Sequence, residues 1–183
     1  MRRRKIIGGL LSAFLVAAGL GSTPALAQSD GSSSIKVGSS GLPIPRFVSL
    51  KSARVNLRVG PGTNYAVSWM YTKAGLPVEI IQEFDNWRRI RDVDGTDGWV
   101  NQALLSGNRT GIVAPWLKDK ESTVPLVAST APNARRVADV EPGALGNVKE
   151  CDGAWCLMRF GSHEGWIQQD LIWGVYPGEI IDD

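Results

Sequence analysis

Imidazole and thiol are scarce in this chain. Its 183 residues contain one histidine, His163, and two cysteines, Cys151 and Cys156. Thiol catalysis needs a free Cys beside a base, and a His-ligated metal needs several imidazoles. A lone His in the turn Gly161-Ser162-His163-Glu164-Gly165 supplies neither and reads as a solvated turn residue. No G-x-S-x-G elbow presents a serine nucleophile. Gly60-Pro61-Gly62 is followed by no Lys-Ser/Thr pair, so it is not a phosphate loop. Paired carboxylates acting on a glycosidic bond would need a cleft, which small units offer poorly. These absences point away from an enzyme and imply no metal and no cofactor.

Long apolar runs are missing too. The longest, Ile6 to Leu20, carries glycines and is shorter than the ~20 residues a membrane span requires. It follows Arg2-Arg3-Arg4-Lys5 and precedes Ala25-Leu26-Ala27, the layout of a secretory signal peptide over residues 1–27, cut after Ala27. The chain is then expected to be periplasmic or secreted, with no membrane attachment after cleavage. Four of the 20 Lys and Arg lie in that segment and none of the 18 Asp and Glu do, so the whole-chain charge of +2 becomes −2. The apparent basicity belongs to targeting and gives no support for nucleic-acid binding.

In an exported protein an even pair of cysteines defaults to a disulfide. Asp152-Gly153-Ala154-Trp155 separates Cys151 from Cys156, which places the two opposite one another on a hairpin. A redox-active pair would be expected to show C-x-x-C spacing at a helix start, and a metal site would need nearby His.

The main positive feature is a repeat. Gly75 to Trp99 and Gly143 to Trp166 each place a Trp twelve residues after a Gly, then a Gly-Trp pair, then an apolar tail. A repeat of this length implies tandem modules. Modules this small are marginal alone and need a tight core, a staple or a neighbour. Long helical patterns are absent and short strand signals recur at regular spacing, so the chain is expected to be all-β. The signals in the first module are Arg54–Leu57, Val67–Tyr71, Val78–Phe84, Trp87–Asp92 and Gly98–Val100. Those in the second are Thr123–Ala128, Ala134–Val140, Leu145–Cys151, Trp155–Phe160 and Gly165–Ile167. The expected organisation is signal peptide 1–27, flexible Ser/Gly/Pro leader 28–46, first module 47–107, linker 108–115, second module 116–176 and acidic tail 177–183. Aligning the repeats puts Cys151 on Glu83 and Cys156 on Arg88. We therefore expect Glu83 and Arg88 to pair across their hairpin, at the 0–1 kcal/mol or so of an exposed ion pair.

Val55-Asn56-Leu57-Arg58-Val59-Gly60-Pro61-Gly62-Thr63-Asn64-Tyr65 resembles the opening signature of bacterial SH3-like (SH3b) domains. Lys73-Ala74-Gly75, Asp85-Asn86-Trp87 and Asp97-Gly98-Trp99-Val100 continue the pattern, so the resemblance covers Ser52 to Leu105. The second module resembles a divergent copy. It keeps Asn133, Trp155 and Gly165-Trp166, but has Pro125-Leu126-Val127-Ala128-Ser129-Thr130-Ala131 in place of the loop. The resemblance implies two small SH3-like β-barrels in tandem. It also implies a non-catalytic role in binding cell-wall peptides or glycans, or in targeting.

Candidate ligand residues cluster in the first module, which has seven Lys/Arg against six Asp/Glu, whereas residues 116–183 have six against eleven. Arg54, Arg58, Asn64, Tyr65 and Arg89 offer a basic, polar surface suited to carboxylates. Ion pairing with Glu83, Asp85, Asp92 and Asp97 is the alternative use of these cations. Trp69, Trp87 and Trp99 are the aromatic candidates. Trp99, like Trp166, also fits a core role, while Trp87 and Trp155 are balanced between core and platform. The expected function is binding of peptidoglycan or its peptide stems. The alternative is a periplasmic adaptor that holds an extended peptide of an envelope protein.

Overall fold

The structure is a computed structural model that describes residues 36–117 and 122–182. The expected signal peptide and leader residues 28–35 lie outside the described residues. The first half contains β1 (Lys36–Val37), β2 (Pro43–Ile44), β3 (Arg46–Leu50), β4 (Val55–Arg58), β5 (Val67–Tyr71), β6 (Pro77–Phe84), β7 (Trp87–Arg91), β8 (Asp97–Asn101) and β9 (Leu105–Ser106). The second half contains β10 (Thr110–Val113), β11 (Val124–Val127), β12 (Arg136–Val140), β13 (Leu145–Asp152), β14 (Trp155–Phe160), β15 (His163–Gln168), β16 (Ile172–Trp173) and β17 (Ile180–Ile181).

The two halves repeat one topology. The first sheet runs β5-β4-β8-β7-β6-β3-β9 and the second β12-β11-β15-β14-β13-β10-β16. Each sheet encloses its own core, one around Leu50, Val55, Leu57, Ile80, Ile90 and Val100 and the other around Val113, Leu126, Met158, Ile167 and Ile172. Alternation explains the strands. Val55 and Leu57 point inward from β4 while Asn56 faces solvent, and Val124 and Leu126 do the same from β11. Register shifts fall at matching places, Leu57/Arg58 and Leu126/Val127, then Ile80/Gln82 and Val148/Glu150. Such bulges bend a strand and let a short sheet curl around a small core. The repeated Gly-Trp has a steric reason. A Cβ on Gly98 would sit 2.7 Å from the Leu57 side chain and 2.9 Å from the Arg58 carbonyl, and on Gly165 it would sit 2.7 Å from the Val127 carbonyl. Only Gly lets the closing strand pass this close to its neighbour.

Two segments carry more structure than their labels of linker and flexible leader imply, and the acidic tail adds a third ordered piece. Residues 108–115 are not a bare linker, because β10 is a full strand hydrogen-bonded between β13 and β16. Leader residues 36–46 are folded: β1 and β2 pair, and Ser39 and Ser40 donate to Glu83. The acidic tail is docked as well, with β17 paired to β13 and Glu179 bonded to Arg109 at 2.7 Å. These short segments gain their order from distant partners.

The modules touch. Thr110 donates from Oγ1 to the Gly75 carbonyl at 2.7 Å, and the Tyr176 hydroxyl donates to Glu79 Oε1 at 2.8 Å. Phe47 meets Trp173 edge-on at 5.2 Å and Tyr176 at 4.8 Å. The Cys151–Cys156 disulfide is formed at the tip of the β13–β14 hairpin. Its turn is held by Asp152, whose Oδ1 accepts the amides of Ala154 and Trp155. Those amides hold the Asp152 carboxyl below its ordinary value, against a smaller opposing effect of burial. Among the described residues no helix is long and apolar enough to cross a membrane.

Candidate functional site

The outer face of the first module carries the candidate site. With Val55, Leu57, Gly98, Val100, Arg88 and Ile90 directed inward, the alternate residues of β4, β8 and β7 face out. Register then sets their neighbours: Trp99 stands opposite both Arg58 and Arg89, and Trp87 stands opposite Asn101. Trp87 and Asn101 join Arg54, Asn56 and Arg58 around a groove of ≈ 350 Å³, completed by Thr63, Ala103 and Leu104.

The two arginines of the groove differ. Arg58 reaches across the following loop, and its Nη1 donates to the carbonyls of Thr63 at 3.1 Å and Tyr65 at 2.6 Å. It shapes the loop as well as facing the groove. Arg54 is exposed, and among the described residues its guanidinium has neither ion pair nor hydrogen bond. No His, Cys, Asp or Glu lines this groove. It can hold a ligand by charge, amide hydrogen bonds and an aromatic wall, but it offers no group to relay a proton at neutral pH.

The structure thus gathers Arg54, Arg58 and Trp87, with Trp99 beside Arg58. Arg89 lies on the same face but is paired with Asp97 at 2.7 Å. Tyr65 lies over the loop, where a Cβ on Gly60 would come 2.4 Å from its ring. Asn64 is exposed in that loop. Trp69 sits elsewhere: it is 58% exposed on β5 and lines a cavity of ≈ 380 Å³ with Met70, Tyr71, Asp92 and Ile112. There Tyr71 donates its hydroxyl to Asp92 at 2.9 Å, and burial followed by the Asp92 charge pushes the phenol well above its usual range. Arg88 and Arg91, which flank Arg89 and Ile90 on β7, are engaged by acidic partners. Arg88 is buried against Glu83 and Gln102, and Arg91 bonds to buried Glu79. Asn56 and Asn101 were missed, although strict alternation along β4 and β8 marks both as outward-facing. Among the described residues no cluster of His, Cys, Asp or Glu could hold a metal ion.

Glu83 also departs from expectation. It does face Arg88, at 3.3 Å, but the pair is buried, with side-chain exposures of 1% for Glu83 and 8% for Arg88. Arg46 adds a second ion pair at 2.7 Å. Burial alone would raise this carboxyl. The Ser40 amide and hydroxyl, then Arg46 and Arg88, outweigh it and hold the carboxyl down at about 2.

The sequence pattern of the bacterial SH3 domain matches residues 51–107 and again residues 120–174. A search of curated proteins found no match. Among solved structures, NlpC2 from Trichomonas vaginalis aligns with 70% of this chain at 9% identity and a TM-score of 0.31. NlpC1 from the same organism aligns with 74% at 11% identity and a TM-score of 0.30. This chain spans about half of each, 48% of their length. With the pattern matched twice and one strand order built twice, the chain belongs to the bacterial SH3 domain family, in a tandem form.

Proposed function

We propose that this is an exported, non-catalytic binding protein of the cell envelope whose first module holds peptidoglycan through the carboxylate-bearing peptide stems. The observation that carries this reading is Arg54, a cation without a side-chain partner among the described residues, beside Arg58 in a groove that has no acidic lining. A carboxylate would accept from the Arg54 guanidinium, the stronger kind of charge-assisted bond. Asn56 and Asn101 would pair with the amides of an extended peptide, and Trp87 would cover its apolar side or a sugar ring. Export through the signal peptide of residues 1–27 accords with the disulfide, which persists in oxidising compartments.

The test is retention on purified cell-wall sacculi. The wild-type protein should co-sediment in a salt-sensitive manner, while Arg54→Ala and Trp87→Ala should lose most retention with unchanged circular dichroism. Equal retention by the folded variants would sink the reading. The adaptor reading has one observation of its own. Edge strand β5 exposes Val67 at 46%, Trp69 at 58% and Met70 at 41%, a template for an added strand. It predicts no sacculus retention, together with capture of a specific envelope protein that is lost in Trp69→Ala.

A further inference from the structure

The repeats diverge beside their edge strands, and the divergence leaves a second site in the first module. Register aligns the copies residue by residue. Leu57 stands opposite Trp69 and Val55 opposite Tyr71, while Leu126 stands opposite Ala138 and Val124 opposite Val140. Arg91 stands opposite both Glu79 and Asp97, and Arg159 opposite both Asn147 and Glu164. Asp92 therefore takes the place of Phe160, and Val78 the place of Gly146. In the second module Phe160 fills this corner: it packs against the core, and a Cβ on Gly146 would fall 2.5 Å from its ring. In the first module the same corner is the cavity of ≈ 380 Å³, lined by Trp69, Met70, Leu76, Val78 and Asp92 among others.

Trp69 shares a strand face with buried Tyr71, two residues on, and stands opposite buried Leu57. It is nonetheless exposed, so its ring is open to a ligand in the cavity. Met70 adds exposed apolar surface beside it. The charged lining is Asp92, Asp94 and Lys73, two carboxylates against one ammonium. Asp92 is engaged by the protein: Oδ2 accepts from the Tyr71 hydroxyl and Oδ1 from the amides of Asp94 and Thr96. Asp94 is exposed and has no side-chain partner among the described residues, and the same holds for Lys73, which leaves the Asp94 carboxylate free. Burial first, then Asp92 and then Asp94 push the Tyr71 phenol upward, so the Asp94 charge is felt inside the cavity.

A purely apolar ligand would leave this carboxylate unanswered, and an anion would be repelled by it. The complement is a cation on an alkyl stem. Such a stem lies along apolar surface while its head reaches a carboxylate, and the face of an indole attracts the same charge. We propose that this cavity binds a basic side chain of a peptide, its stem along Trp69 and Met70 and its charged head at Asp94. The second module has Ala138 in place of the aromatic wall and Phe160 in place of the acid. The site shares no lining residue with the groove and stands whether or not that groove holds peptidoglycan.

The test is a titration of the full chain, monitored by the Trp69 indole N–H and the backbone amides of Asp94 to Thr96. The probes are Nα-acetyl-lysine methylamide and the norleucine analogue, which keeps the stem and lacks the charge. A saturable shift with the lysine probe in the millimolar range, about fivefold tighter than with norleucine, supports the site. Asp94→Asn keeps the turn and removes the charge, and should bring the lysine probe down to the norleucine affinity. High salt should do the same without a substitution, because an exposed ion pair is screened. Trp69→Ala should weaken both probes. Three results would overturn the proposal: no saturable shift with the lysine probe, equal affinity for norleucine, or unchanged lysine affinity in Asp94→Asn. Arg54→Ala should bind the lysine probe normally, so failure of the groove and failure of this cavity are separable.

Discussion

The two modules close the same corner by different chemistry. At the tip of the β6–β7 hairpin Glu83 stands opposite Arg88, and at the matching tip of β13–β14 Cys151 stands opposite Cys156. Each corner is also covered by a segment outside the repeat. The β1–β2 turn wraps Glu83 through Ser39 and Ser40, and β17 pairs with β13 at Cys151 and Asp152. A disulfide asks nothing of its surroundings. A buried carboxylate must have every lone pair answered, which is why Glu83 gathers two arginines and two serines. The first corner is therefore sensitive to acid and the second to reductant.

The sharpest way to break this comparison is Glu83→Ala. It leaves buried Arg88 without its partner carboxylate and should destabilise the first module by about 3–5 kcal/mol, read by denaturant unfolding. Acid should act on the same group. Its folded-state carboxyl titrates below the unfolded one, so the stabilisation is complete above about 4.5 and is lost as pH falls toward about 2. Glu83→Gln should remove this part of the pH dependence of the melting temperature. An unchanged acid profile would show that Glu83 does not carry it.

Replacing both Cys151 and Cys156 with Ser should cost about 2 kcal/mol, the modest entropy of a short loop. Hydrogen exchange should place the loss in β13, β14 and β17, with β6 and β7 unaffected. Tyr176→Phe should cost about 1.5 kcal/mol, since it removes a hydrogen bond to a buried carboxylate that links the modules. One cooperative melt that splits into two would confirm the coupling. The smallest effect should be Arg89→Ala, about 0.5 kcal/mol or less, because its pair with Asp97 is about 40% exposed. A loss as large as that from Glu83→Ala would contradict the distinction between buried and exposed pairs.

Strands β4 to β8 and β11 to β15 were legible because each carries its own signal, an alternating run bounded by a turn. The strand that opens each repeat was not. Arg46–Leu50 sits beside prolines and Thr110–Val113 is a short run before Pro115, so both resemble connections until their partners β6 and β13 are in place. The pairing of Glu83 with Arg88 followed from aligning the repeats. Its burial did not, because the covering turn lies over forty residues away in sequence. In the groove, Arg54, Arg58 and Trp87 were readable by residue type. Their convergence with Asn101 depends on the β7–β8 register, and Trp69 lies apart from them because β5 carries it to a different cavity.

Only Gly107, Asn108 and Arg109 separate β9 from β10, and Thr110 is bonded back to Gly75 at once. So short a tether, pinned at its far end, acts as a caliper with a fixed gap. A ligand held by both modules at once would have to present its two contacts at close to that spacing. Lengthening the tether would widen the range of spacings accepted while lowering the effective concentration at any one of them.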